Sequence, residues 1–182
     1  LGENAFGDCI SLQTFAVENG NTSFSVENDV LMNAEKTTLF CYPPAKTGTT
    51  YSVPNTVTEI APYAFASAAD LTDVTLPTGL QTIGAWAFSQ TKLTSITIPN
   101  TVTTIGSYAF CNAASLKQVQ LPNSLQELQA AAFWGCSSLE QVTLPNTLQE
   151  IPIYAFYGCT GLQKLTVPSS VQTIASEAFQ GM

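Results

Sequence analysis

The chain has 182 residues, 45% of them hydrophobic and only 10% charged, with 13 Asp and Glu against five Lys and a formal net charge of −8. Nucleic-acid binding needs clustered Lys and Arg against phosphate and is strongly disfavoured; with no His, the commonest general base and metal ligand is missing as well. No run of 18 or more apolar residues occurs, so no membrane-spanning segment is expected.

In chain order, residues 1–17 read as one repeat, A-F-G-D-C followed by I-S-L-Q-T-F-A-V. The opening L-G-E-N-A-F matches I-G-S-Y-A-F at 105–110, and A-F-Q-G-M at the other end stops in mid-repeat. The expectation is a fragment of a longer array. Residues 18–50 break the regularity. Within them, V-L-M-N-A-E-K-T-T-L-F-C-Y (30–42) sets two β-rich runs around a polar turn, which predicts a hairpin of the longer-loop kind. Pro43-Pro44 ends it, because neither residue can donate to a ladder. This stretch is expected to be an insert in a single solenoid spanning 1–182, not a separate domain.

Regular repeats fill 51–182. An Ala-Phe pair recurs with Phe65, Phe88, Phe110, Phe133, Phe156 and Phe179, at steps of 23, 22, 23, 23 and 23. A fixed period of this length marks a repeat array in which each unit is too small to bury its own apolar face and stacks on its neighbours. In L-T-D-V-T-L-P (71–77) the apolar residues alternate with Asp73 and Thr75, the period-two pattern of a half-buried strand. A Pro closes each such run, at 54, 77, 99, 122, 145 and 168. An apolar pair three residues apart follows, as in Leu80 and Ile83, and its spacing predicts a tight coil or short 3₁₀ turn. The Ala-Phe pair then points a small and a large residue inward, and Asn112, Gly135 and Gly158 two residues after their Phe suit a left-handed turn.

The pattern L-x-x-V-x-L-P-x-x-L-x-x-I-G-x-x-A-F-x-x-C, closely over 51–182 and partly over 1–17, resembles the BspA-like, or Treponema pallidum-type, leucine-rich repeats. The resemblance implies a mainly β, right-handed leucine-rich-repeat solenoid of 23-residue coils. Its parallel sheet would be concave, its convex side short 3₁₀ or irregular, with one β-hairpin insert. It also implies a secreted or cell-surface protein with an adhesive role, and repeats that are not enzymes. The chain departs from the pattern with Leu-Gln at 128–129, Ile-Pro at 151–152, and Ala in the Cys phase at 68 and 113.

Cys9, Cys136 and Cys159 share one phase and are expected to be small buried apolar side chains; a Cys136–Cys159 disulfide is conceivable. Cys41 and Cys111 lie off that phase. No C-x-x-C pair occurs, so neither a metal nor a cofactor is expected. Asp70 with Asp73, and Glu127 with Glu150, are the carboxylates that could act as a glycosidase pair, but solvated surface charge is the expected reading. The sheet's outward positions are Asp73 and Thr75, Ser95 and Thr97, Gln118 and Gln120, Gln141 and Thr143, Lys164 and Thr166. They make a flat, mostly neutral face rich in hydrogen-bonding groups. A second stripe is aromatic: Tyr63, Trp86, Tyr108 and Tyr154 two residues before their Phe, with Trp134 and Tyr157 one residue after.

The expected function is a non-catalytic, extracellular or cell-surface recognition or adhesion module. It would bind a host or matrix protein, or a glycan, through the concave face or the aromatic flank. A structural spacer projecting other domains is the alternative, and a glycan-processing enzyme a distant one.

Overall fold

The computed structural model describes residues 1–2 and 4–182, and among these it contains strands and turns but no helix. Each repeat is one coil with two short strands and a tight third side. The run before the Pro forms the first ladder: β4 (Thr50–Ser52), β6 (Asp73–Thr75), β8 (Ser95–Thr97), β10 (Gln118–Gln120) and β12 (Gln141–Thr143). In all five, the middle residue is buried and its two neighbours exposed, as the alternation predicts. β4 pairs with β6, and β8, β10 and β12 form a parallel sheet in register. β6 and β8 are not paired. The chain from Phe88 to Leu93 is one residue shorter than from Phe65 to Leu71, and a bond from the Thr94 N–H to the Thr72 carbonyl (3.2 Å) spans the gap.

After each Pro the chain makes the expected tight turn but does not stop there. The Pro carbonyl does accept a turn bond from the first apolar residue, as from the Leu80 N–H to Pro77 (3.1 Å). The chain then extends, forming a second ladder: β5 (Glu59–Ile60), β7 (Thr82–Ile83), β9 (Thr104–Ile105), β11 (Glu127–Leu128), β13 (Glu150–Ile151) and β14 (Thr173–Ile174). Extension lets each coil exchange hydrogen bonds with the next, whereas a local 3₁₀ bond would leave the stack unpaired here. The ladder breaks between β11 and β13. Gly84, Gly106 and Gln129 each donate their N–H to the coil before, at 2.8–2.9 Å. Pro152 holds the same place and has no N–H to give.

The insert is built into this second ladder. β1 (Phe24–Glu27), β2 (Val30–Asn33) and β3 (Thr38–Cys41) form an antiparallel meander, and β3 pairs parallel with β5. The predicted β2–β3 hairpin is present. β1 was not foreseen; it turns into β2 through Asn28 and Asp29, with φ of 50° and 66°, a tight turn of the type that suits the twist of a hairpin. A Lys36–Glu27 ion pair lies within the meander and a Lys46–Asp29 pair ties it to the chain that follows, both at 2.6 Å.

The core is one continuous column. Phe65, Phe88, Phe110, Phe133 and Phe156 are fully buried. Successive rings from Phe65 to Phe179 stack at centroid separations of 4.9, 5.2, 5.1, 5.4 and 5.5 Å, within 10° of parallel. Tyr42 extends the column, stacked on Phe65 at 5.4 Å. Hydroxyls stitch one edge: Ser124 donates to the Val102 carbonyl (2.6 Å), Thr147 to Leu125 (2.9 Å) and Ser170 to Leu148 (2.8 Å). Gly79 is the member of this phase without a hydroxyl, and a Cβ there would meet open space. At Gly106 a Cβ would lie 2.5 Å from the Ala85 backbone nitrogen, so the coils approach too closely for any side chain.

Chemical denaturation should therefore rank three variants. Phe110→Ala should lower stability by about 3–5 kcal/mol. Gly106→Ala should cost about 1–3 kcal/mol through backbone overlap. Gly79→Ser should raise stability by about 0.5–1.5 kcal/mol by adding the missing hydroxyl bond and stiffening the unfolded chain.

Candidate functional site

The strands of the first ladder carry eight of the ten residues predicted for its outward side, Lys164 and Thr166 lie beyond β12, and all ten are exposed. Pairing fixes their spacing. Ser95, Gln118 and Gln141 stand in one row, and Thr97, Gln120 and Thr143 in the next. Lys164 joins the first row through a single bridge to Gln141. Neighbours within a row are about 4.8 Å apart. A depression of about 1060 Å³ opens over Gln118, Gln141, Thr143, Lys164 and Thr166, and a smaller one of about 400 Å³ over Ser95, Thr97 and Gln120. Asp73 and Thr75 lie across the unpaired β6–β8 step and belong with β4. Hydroxyls and carboxamides both donate and accept, so this face is equipped for hydrogen bonding in either sense.

The six predicted aromatic residues also come together, but not as free rings. All six are half-buried. Tyr63 stacks on Trp86 (6.0 Å, 2°) and Trp86 on Tyr108 (4.3 Å, 9°). Trp134 stacks on Tyr157 (4.3 Å), with Tyr154 edge-on at 5.1 Å. Ala131 takes the same place between Tyr108 and Tyr154 and is buried; Glu177 follows Tyr154, is exposed, and accepts a bond from its hydroxyl (3.2 Å). Tyr63, Trp86, Tyr108 and Tyr154 have φ of 58–62°, a left-handed conformation that costs a bulky residue about 1–2 kcal/mol. No sequence signal announced this, since Gly and Asn are the usual markers of such a turn.

The carboxylates behave differently from one another. Glu127 and Glu150 line one groove of about 720 Å³ at the Pro152 break, both exposed, with the Gln129 amide donating to Glu127 at 2.9 Å. Asp70 is exposed at a turn three residues before Asp73, which opens β6 and is also exposed. Cys136 and Cys159 are buried as expected, and so are Cys41 and Cys111; Cys9 is exposed, because its coil has no preceding neighbour over it among the described residues. All five thiols are free. Cys136 and Cys159 donate their S–H to the carbonyls of Phe110 (3.1 Å) and Phe133 (3.2 Å), which holds each sulfur against the preceding coil. Among the described residues no group of three or more His, Cys, Asp and Glu is placed to hold a metal ion, and no helix is long and apolar enough to cross a membrane. One cavity escaped sequence reading: about 520 Å³ between residues 4–10 and the start of the aromatic stripe, lined by Tyr63 and Trp86. It joins residues 4–10 to segments at least 30 residues further on, so no local pattern could reveal it.

The profile of the BspA type leucine rich repeat region matches residues 36–139 and 85–182, with six copies. A leucine-rich repeat protein from Eubacterium ventriosum has a similar structure, with a TM-score of 0.80 and 32% identity over 99% of this chain and 55% of that one. The pneumococcal vaccine antigen PcpA has a TM-score of 0.72 and 28% identity, over 88% of this chain and 44% of that one. The leucine-rich repeat protein of T. pallidum shares the fold at a TM-score of 0.67 and 24% identity, over 88% and 86%. The chain thus spans about half the length of the first two structures. No curated protein matches it.

Buried thiols give the fold a pH limit. Burial pushes Cys41 and Cys159 up to about 12 and Cys111 to about 11, and holds Cys136 well above its ordinary value of 9. Between pH 9 and 11 the unfolded chain loses thiol protons that the folded chain keeps, so stability falls as pH rises. Each thiol removes up to about 1.4 kcal/mol per pH unit in that window. Urea titrations in reductant at pH 7.5 and 10.5 should show the fall, and a shallower one in Cys159→Ala. Tyr51 offers a separate check. Its hydroxyl is buried without a hydrogen-bond partner, so Tyr51→Phe should be neutral or stabilising by up to about 1 kcal/mol.

Proposed function

Since the chain belongs to the BspA-type leucine-rich-repeat family, we propose that it is a non-catalytic cell-surface recognition or adhesion module. It holds its partner, a protein of the host or matrix, across the outward face of the first ladder. The observation that carries this reading is the in-register plate of Ser95, Gln118 and Gln141 beside Thr97, Gln120 and Thr143, every member exposed. A solenoid presents such a face as an extended surface that a partner can read along several coils. The plate is uncharged, so its hydrogen bonds can form without stripping water from an ion. Its backbone is fixed by pairing, so little chain entropy is lost on binding. Cell-surface placement is supported by the relative that is a vaccine antigen, a role that fits exposure to the host.

The test is binding of the purified chain to panels of extracellular-matrix and host-surface proteins by biolayer interferometry. A variant carrying Thr97→Lys, Gln120→Lys and Thr143→Lys places three cations on the plate and, at exposed positions, leaves the fold intact. Binding should fall by about tenfold or more, since each blocked or like-charged contact costs about 1 kcal/mol. A partner that binds the wild type and the triple variant equally would overturn the reading. A chain that binds nothing on either panel would instead favour the spacer role.

A further inference from the structure

We propose that the cavity at the N-terminal end of the aromatic stripe is a binding site for a sugar ring of a neutral glycan. It lies away from the first ladder and does not depend on how that face is used.

The coil's third side has a fixed polarity. Here the N–H groups of one coil donate to carbonyls of the next: Tyr63 to Ala85, Phe65 to Ala87 and Ser67 to Ser89, at 2.7–2.9 Å. The same three bonds recur from Trp86, Phe88 and Gln90 and from Tyr108, Phe110 and Asn112. Carbonyls on this side therefore face the N-terminal end of the stack. On the coil at 61–67, the Ala64 carbonyl is taken by the Tyr42 N–H (2.7 Å). The carbonyls of Pro62 and Ala66, on either side of it, accept no hydrogen bond among the described residues. Their equivalents on each of the next four coils all do, as Ala85 and Ser89 show. Pro62 and Ala66 both line the cavity.

Tyr63 and Trp86 supply the apolar wall. Trp86 has a ring stacked on each side, Tyr63 and Tyr108. Tyr63 is stacked on one side only among the described residues, so it alone of the two keeps a ring face for a ligand. The rest of the lining is mixed: Phe6, Ile10 and Phe40 are apolar, while Glu59 and Gln90 on the array and Asn4 and Asp8 on the first coil are polar. No lining residue is Lys.

These features define the occupant. Two backbone carbonyls and two carboxylates make the cavity rich in acceptors, so a ligand must bring donors. The two carboxylates, Asp8 and Glu59, disfavour an anion. The open Tyr63 face asks for a flat apolar surface. A pyranose combines O–H donors around its rim with a C–H face, and carries no charge. The cavity volume of about 520 Å³ is in the range of small-molecule sites. A quaternary ammonium, which aromatic rings and carboxylates also attract, is the competing occupant.

The chain itself should be titrated with methyl glycosides of glucose, galactose, mannose and N-acetylglucosamine, and with tetramethylammonium chloride. Saturation-transfer NMR reports contact, and Trp86 fluorescence gives the isotherm. At least one glycoside should saturate. Tyr63→Gly removes the ring while suiting the left-handed backbone (φ 62°), and so should fold while binding about tenfold more weakly. Tyr63→Phe, which keeps the ring, should bind like wild type, and Glu59→Gln should weaken binding severalfold. The triple Lys variant of the first ladder should bind the glycoside unchanged. The proposal is overturned if no glycoside saturates, if Tyr63→Gly leaves saturable binding intact, or if tetramethylammonium saturates where the glycosides do not.

Discussion

Everything in this molecule follows from one spacing. Backbone hydrogen bonding sets neighbouring parallel strands about 4.8 Å apart, and every coil must repeat at that interval. Aromatic rings happen to stack comfortably at nearly the same distance. The Phe column, at 4.9–5.5 Å, therefore satisfies the backbone and the side chains together. The same interval brings Gly106 against Ala85 and each edge hydroxyl against the carbonyl of the coil before. Residues that meet their own kind across this gap are fixed by it.

Much of this was legible because the period is written in large residues. Phe and Pro at constant phase locate the column and the turns, and alternation assigns each residue of the first ladder to a face. The second ladder was not legible: the three-residue spacing of Leu80 and Ile83 does mark a turn, but the extension after it is imposed by the neighbouring coils. The insert hid a coil for a related reason. Tyr42 stands 23 residues before Phe65, in phase, but carries a different ring, so it escapes a search for Ala-Phe. Cys9 shows the converse. Its phase is that of Cys136 and Cys159, yet burial depends on a covering neighbour, which phase alone does not supply.

The candidate sites divide in the same way. The outward residues of the first ladder were readable one by one, since alternation needs no knowledge of the fold. The aromatic stripe was readable as a set of positions but not as a structure. Its rings spend most of their faces on one another, and several sit on a left-handed backbone that Gly would occupy more cheaply. The end of the stripe differs from its middle because the last ring of a stack keeps one face uncovered. The unpaired carbonyls of Pro62 and Ala66 are the backbone form of the same rule.

The missing residue between Phe88 and Leu93 acts as a stacking fault does in a layered crystal. The layers on either side keep their order, and the Phe88–Phe110 contact passes through undisturbed at 5.2 Å. The sheet does not: β4 and β6 form one plate, and β8, β10 and β12 another. The core is thus a single body while its outer face is two tiles with a seam between them. The tiles also differ in charge: Asp73 marks the smaller, whereas the six outward positions of β8, β10 and β12 carry none.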